Sequence, residues 1–248
     1  MRDVVAVING HREGSLLIPT IRSMMLAEDH ARAAGIDCGV CLLLDNPDSE
    51  TSDVIDEWRR PDWQVEVSDV ADLGLARNEA VHRAQESKYL AFLDGDDLCS
   101  RNWLTGSVQH ANAYLDRPVI WHPAANFVFG RGDTYLYLHR DMDDPEFLLS
   151  YLVLDNYWTA LSFGERAIYR DHPYSPNRLK EGWGYEDWTW NASTISAGVK
   201  HKIVPDTAHF IRRKRNSLLG DTKVAGAMPY LGPLQDLILV DANSAEDV

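Results

Sequence analysis

Long apolar runs are missing from this sequence. No stretch approaches the roughly 20 residues that a membrane-spanning helix needs, and the amino terminus enters a strand pattern without a leader of charged then apolar residues. The chain is therefore expected to be cytoplasmic, with no transmembrane segment and with peripheral membrane contact left open. Cysteine is scarce, three in 248 residues, which argues against a disulfide framework. Cys38-Gly-Val-Cys41 spells C-x-x-C, but it has no second pair to complete a zinc site and it leads into the apolar run Val40–Leu44, so it reads as buried thiols. Basic residues are also short: 24 Lys and Arg stand against 38 Asp and Glu, a formal net charge of −14. Nucleic acid would be repelled overall, and a smaller anion would need a metal or a local basic patch. Repeats and low-complexity segments are absent.

The most informative stretch that is present is KYLAFLDGDD, residues 88–97. Tyr89 to Leu93 has the length and aromatic content of a buried strand, and it stops on Asp94, Gly95, Asp96 and Asp97. Carboxylates at the carboxyl end of a strand lie where open α/β sheets bind ligands. Clustered carboxylates raise one another's pKa, so a cation is expected there, and oxygen-only ligands favour Mg2+ or Mn2+ completed by water and phosphate. The competing structural role is a helix cap for a helix beginning near Asn102.

Strands and helices alternate through the first hundred residues, which predicts a mostly parallel sheet flanked by helices. A strand at 3–8 ends in Asn9-Gly10-His11. A helix follows over 16–34, closed by Gly35. The second strand ends on Asp45, and Thr51 or Ser52 caps a helix running to about Arg60. Gln64 to Val67 is a short strand, and 75–87 a helix. Asn9, His11, Asp45 and the acidic cluster then line one sheet edge, where a nucleotide could lie; Asp45 serves equally well as a turn residue before Pro47. Beyond a helix at 102–115, strands are expected at 119–123 and 135–138, and DMDDPE at 141–146 is expected as a solvated helix entry. Aromatics crowd 151–190. Trp158, Trp183, Tyr185 and Trp188 suit the walls of a sugar site, with core packing the competing role for each.

Several segments together resemble the nucleotide-sugar glycosyltransferases of family 2, with the GT-A fold. LDGDD resembles the D-x-D motif, DLGLARNEAV at 72–81 the G-L-x-x-A-R-N segment, LLLDNPDSETSDVI at 42–55 the V-D-D-x-S-x-D-x-T segment, and GWGYEDWTW at 182–190 the G-x-x-E-D segment. The resemblance implies an α/β GT-A (Rossmann-like) sheet with a smaller acceptor-binding subregion. It implies a single domain over 1–225, a nucleotide-binding half to 117 and an acceptor-binding half from 118, followed by a tail at 226–248.

It also implies roles. Asp187 would be the general base of an inverting transfer and Glu186 would orient or bind the acceptor, whereas the helix dipole alone would also favour both acids in a first turn. Asp94, Asp96 and His209 would hold Mn2+ or Mg2+. Asn9, His11, Asp45, Arg77, Asn78, Asp94, Gly95 and Asp96 would bind the nucleotide-diphosphate sugar, with Arg77 on the diphosphate or supporting the acidic turn; apart from the resemblance, the basic run Arg212, Arg213, Lys214 and Arg215 suits the diphosphate through fork geometry, Arg213 above all, with a solvated charged face the competing role. Trp158, Trp183, Tyr185 and Trp188 would bind a sugar or glycan acceptor. The Q-x-x-R-W segment typical of processive synthases is absent, which favours transfer of one sugar at a time. Two alternatives are a nucleotidyltransferase, for which NGHREGS after the first strand is a weak phosphate loop, and a non-catalytic carbohydrate-binding relative, which would be expected to lose a metal carboxylate or the base.

Overall fold

Val4, Val5, Ala6, Val7 and Ile8 are each at most 1% exposed, so this strand is covered on both faces, as parallel strands between two helix layers are. The computed structural model describes residues 1–215, 217–232 and 234. Its first half alternates β1 (Arg2–Gly10), α1 (Leu17–Ala33), β2 (Cys38–Asp45), α2 (Ser49–Trp58), β3 (Gln64–Ser68), α3 (Leu73–Arg83) and β4 (Ser87–Asp94). Then come β5 (Leu98–Cys99), α4 (Trp103–Ala113), β6 (Val119–Gly130), β7 (Tyr135–Leu138), β8 (Ser162–Glu165), α5 (Arg166–Asp171), α6 (Glu186–Ser196), β9 (Lys200–Arg213) and α7 (Leu218–Val224).

One sheet runs through both halves in the order β3-β2-β1-β4-β8-β6-β9-β5, with β7 on β6. The strands β1 to β4 are mutually parallel. β8 is antiparallel to both β4 and β6, so β6, and β9 parallel to it, run in the direction of the first four. Alternate residues of each central strand feed two cores. Val4, Ala6, Ile8, Leu42 and Leu44 meet Leu17, Ile21 and Met24 of α1 and Trp103 and Leu104 of α4. Val5, Val7, Cys41 and Leu43 meet Ala76 and Ala80 of α3, Tyr169 of α5 and Trp190 of α6. Cys38 and Cys41 therefore sit in opposite layers as free, buried thiols, three residues apart on a strand. Burial pushes the Cys41 thiol up to about 12.

Some local expectations are corrected. The cap of α2 is Asp48, whose carboxylate accepts from Thr51 N at 2.9 Å, while Thr51 is buried and takes Gly14 N at 3.0 Å. α3 ends at Arg83, before β4 begins at Ser87. The strand expected at 119–123 continues to Gly130 with a register irregularity between Pro123 and Ala125. Residues 141–146 form turns, not a helix entry, because Asp141 and Asp143 are taken by Lys200 and Lys202.

Trp158 is not an acceptor wall but core. It is 1% exposed, stacks on His122, and donates from Nε1 to Arg140 O at 2.8 Å. His122 and His201 beside it are joined Nε2 to Nδ1 at 2.9 Å. Burial pushes His201 and His139 down to about 3, so both are neutral at ordinary pH. Residues 226–232, assigned from sequence to the tail, pair back onto the domain: Met228 N donates to Gly182 O at 2.8 Å and Gly184 N to Met228 O at 3.0 Å. Leu234 is buried beside Leu152 and Ile195; the remaining tail, 235–248, lies outside the described residues. Among the described residues no helix is long and apolar enough to cross a membrane.

α1 is tied to the α2–β3 connection by Glu28, fully buried in mid-core. Its carboxylate accepts from Trp63 Nε1 (2.9 Å), Arg60 Nη1 (3.0 Å) and Arg32 Nη2 (2.6 Å). Glu28→Ala strands these donors and is expected to cost about 3 kcal/mol, the low end for a broken buried pair because the arginines regain water. Urea denaturation checks it; an unchanged midpoint would show that the network adds nothing to stability.

Candidate active site

Asp94 closes β4 and lies opposite Asn9 in the β1–β4 register. The chain turns at once through Gly95, where a Cβ would fall 2.8 Å from Asn9 O, so only glycine lets the turn approach the end of β1 this closely. Thr20 of α1 fixes the same turn by donating from Oγ1 to Gly95 O at 2.9 Å. Asn9 is 5% exposed, and neither its Oδ1 nor its Nδ2 has a partner among the described residues. A buried amide is costly to leave unpaired, so both atoms call for a polar partner beyond the protein side chains, water included.

Arg77, the most polar of the large fully buried side chains, joins this turn to α6. Its Nη2 donates to Asp94 Oδ1 at 2.8 Å and its Nη1 to Glu186 Oε1 at 2.9 Å. Burial works against its charge, but Asp94 and Glu186 together hold its pKa above the ordinary value. Of the two roles open from sequence, Arg77 thus supports the acidic turn. Asn177 Nδ2 takes the second oxygen of Glu186 at 3.2 Å, so Glu186 is occupied as a positioning group. Tyr185 enters α6 from a left-handed conformation, φ 57°, an uncommon and strained state for a bulky residue. Next to Glu186, Asp187 is half-buried. Burial, then the negative charge of Glu186, push it up to about 7 against the pull of Arg77. Its Oδ1 accepts from Trp188 N at 2.8 Å, and Oδ2 has no donor among the described residues.

The end of β9 closes the opposite side. Asp97 is 6% exposed; it accepts from Arg212 N at 2.8 Å and from His209 Nε2 at 3.0 Å. His209 Nδ1 lies 3.0 Å from Thr159 Oγ1, so both ring nitrogens are engaged by protein and neither is offered to an ion. Arg213, expected on the diphosphate, points the other way, with Nη2 donating to the Tyr135 hydroxyl at 2.6 Å. Its neighbours face the site instead: Arg212 Nε donates to Asp96 O at 3.1 Å and Lys214 Nζ lies 3.0 Å from Asp96 Oδ2. Alternation counted from His209 puts Arg213 on the same face as that histidine, so strand phase alone would not have picked Arg212 and Lys214, the second of which lies beyond β9. Burial and then Asp97 push Asp96 up to about 6, with Lys214 opposing.

On the β2 side, Asp45 is 7% exposed and accepts through Oδ1 from Asn46 Nδ2 and Ala71 N, each at 3.2 Å. His11 Nδ1 contacts Asp45 O. Asn46 and Ala71 both hold positive φ, 50° and 54°, so two of the four non-glycine left-handed residues among the described residues flank this corner. Asn78, by contrast, is no donor ligand. It clamps the backbone of Tyr174 from both ends, Nδ2 to O at 2.9 Å and N to Oδ1 at 2.8 Å. Trp183 is 42% exposed and meets Tyr230 edge-on, Trp188 is half-buried with Nε1 on Leu152 O at 2.8 Å, and Tyr185 packs edge-on against Trp188.

Oxygen chemistry for a hard cation is present in part. Asp94 Oδ2 and Asp96 Oδ1 carry no donor among the described residues, and one or two carboxylates are what Mg2+ or Mn2+ takes from a protein when water and phosphate fill the rest. No group of three or more His, Cys, Asp or Glu among the described residues is arranged to hold an ion by itself. The residues therefore fit a shell that a ligand completes, and His209 lies outside it.

The Glycosyl transferase family 2 model matches residues 6–172. The chain belongs to that family. The matched stretch contains Arg77 and the acidic turn and ends before Asp187. No curated protein matches the sequence. Among solved structures, TarS of S. aureus in complex with UDP-GlcNAc has a TM-score of 0.63 at 13% identity, over 88% of this chain and 60% of that one. GalNAc-T7 with UDP, GalNAc and Mn2+ has a TM-score of 0.60 at 18% identity, over 91% and 47%. The fold of this family 2 chain is thus GT-A, and the chain spans 60% of TarS 1–349 and 39% of the longer TarS chain.

Because Arg77 serves two carboxylates on separate elements, Arg77→Met should cost about 3–5 kcal/mol, the toll of leaving buried charges unpaired. Arg77→Lys should recover only part, since a single ammonium cannot reproduce the fork. Chemical denaturation of the three proteins checks the order.

Proposed function

We propose that this family 2 chain moves one sugar from a nucleotide-diphosphate sugar to an acceptor hydroxyl, with inversion and with Asp187 as the base. The observation that carries the reading is the Arg77 bridge, which fixes the acidic turn of β4 and the first turn of α6 at one sheet edge. The UDP-GlcNAc in TarS and the UDP and Mn2+ in GalNAc-T7 support a nucleotide-sugar donor and a divalent ion.

Asn9, His11 and Asp45 would receive the nucleoside, their edge having unpaired amide atoms to offer. Asp94 and Asp96 would hold Mn2+ or Mg2+, which when bound neutralises charge on the departing diphosphate. Asp187 is suited to the proton. A sugar hydroxyl is a weak nucleophile, and a carboxylate with a pKa near 7 and one free oxygen takes its proton best close to neutrality. Glu186 raises that pKa by its charge while Arg77 and Asn177 keep it in place. A single base and in-line attack give inversion without a covalent intermediate. Trp183, Tyr185 and Trp188 would line the acceptor, each offering an aromatic face or edge to a sugar ring.

Asp187→Asn keeps size and much of the hydrogen bonding but cannot take the proton. Turnover should fall roughly 10²–10⁴-fold while donor affinity survives; calorimetry beside transfer rates measures both, and a near wild-type rate would remove Asp187 from the mechanism. EDTA should abolish transfer and added Mn2+ or Mg2+ restore it, whereas full turnover in excess EDTA would rule out a metal requirement.

A further inference from the structure

Lys214 sits one residue beyond the end of β9 and reaches back into the acidic turn. Its ammonium lies 3.0 Å from Asp96 Oδ2 and 3.6 Å from Glu13 Oε1, and Glu13 itself comes from the loop between β1 and α1. The Glu13 and Asp96 side chains are only 9% and 13% exposed, while that of Lys214 is 31% exposed. Lys214 is thus a point charge on a flexible stem, its ammonium among carboxylates and its side chain still partly open to solvent. Arg212, on the same strand end, is fixed differently, with its guanidinium over the Phe129 ring and Nε on Asp96 O. Of the two cations that the end of β9 brings to the turn, only Lys214 is paired to the Asp96 carboxylate, and it is carried on a flexible stem.

We infer that Lys214 is the resident counter-ion of the acidic turn, holding Asp96 while the site is empty and transferring to the diphosphate of the donor when a divalent ion takes Asp96. The inference rests on the reading of Asp94 and Asp96 as the ion-holding pair. An ammonium and a divalent ion on one carboxylate repel each other, so an ion arriving alone loosens Lys214 from Asp96, and Glu13 at 3.6 Å does not replace the anion it loses. A diphosphate arriving with the ion supplies that anion. Ion and nucleotide therefore bind better together than apart, and Lys214 becomes a donor-binding residue.

The test is the binding of Mn2+ to the full chain, read by the electron paramagnetic resonance signal of the free ion, with and without each of UDP, GDP and dTDP. The wild type should bind Mn2+ weakly alone and more tightly with the fitting diphosphate. Lys214→Met should bind Mn2+ alone about tenfold more tightly than wild type, the equivalent of removing one part-buried ion-pair competitor, and should lose most of the gain from nucleotide. Lys214→Gln, which keeps a polar head, should behave the same way and covers the case in which the methionine variant does not fold. Equal Mn2+ affinity in wild type and both variants would overturn the role of Lys214 while leaving Asp94 and Asp96 standing as the ion-holding pair. Absence of Mn2+ binding in all of them, with nucleotide present, would overturn the carboxylate site and the role of Lys214 with it.

Discussion

The site depends on one guanidinium removed from water. Arg77 projects from α3 under the sheet edge and holds Asp94 at the end of β4 and Glu186 at the start of α6, residues 109 apart in sequence from Arg77 at the far end. A buried charge is tolerable only when paired and hydrogen-bonded, so neither carboxylate can leave without a large cost. That fixes the distance between the turn that carries Asp94 and the turn that carries Asp187, without any contact between the two bridged acids themselves.

The rest of the architecture supplies what Arg77 cannot. β8, inserted antiparallel between β4 and β6, lets β9 return its carboxyl end to the same edge, where Asp97 takes Arg212 N and His209 and ties the acidic turn to β9. Unsatisfied or strained features collect at this edge: Asn9 with two unpaired amide atoms, and Asn46, Ala71 and Tyr185 with positive φ. Such features persist where the surroundings over-determine them, which is the usual condition of a binding site. Farther out, the neutral histidines packed on Trp158 make a rigid wall between β6 and α6, not a second reactive centre.

Much of this was legible in the chain. The alternation of apolar runs and helical spacing predicted the central parallel strands because these are buried on both faces, and carboxylates at strand ends located the edge. The turn at Gly95 and the acids at Glu186 and Asp187 follow from local sequence. What was not legible depended on partners far away. Asn78 looks like a nucleotide ligand until Tyr174, 96 residues on, is seen between its amide atoms. Trp158 is indistinguishable from a sugar-stacking residue until His122 and His201 surround it. His209 carries no sign in sequence that Thr159 and Asp97 occupy both its nitrogens. Arg213 is one of four consecutive basic residues, 212–215, and nothing in that run shows that Tyr135, 78 residues away, takes its guanidinium.

The central claim is that Asp187 is a base whose pKa is lifted by burial and by Glu186. Its most direct test is the pH dependence of donor turnover in wild type and Glu186→Gln, with a donor chosen by hydrolysis of UDP-, GDP- and dTDP-sugars. A base works deprotonated, so the wild-type rate should rise with pH through about 7. Removing the Glu186 charge also frees Arg77 to favour the anion, so the rising limb should move to lower pH by about one unit. A limb that stays in place, or a rate that does not change between pH 5 and 9, would contradict the account.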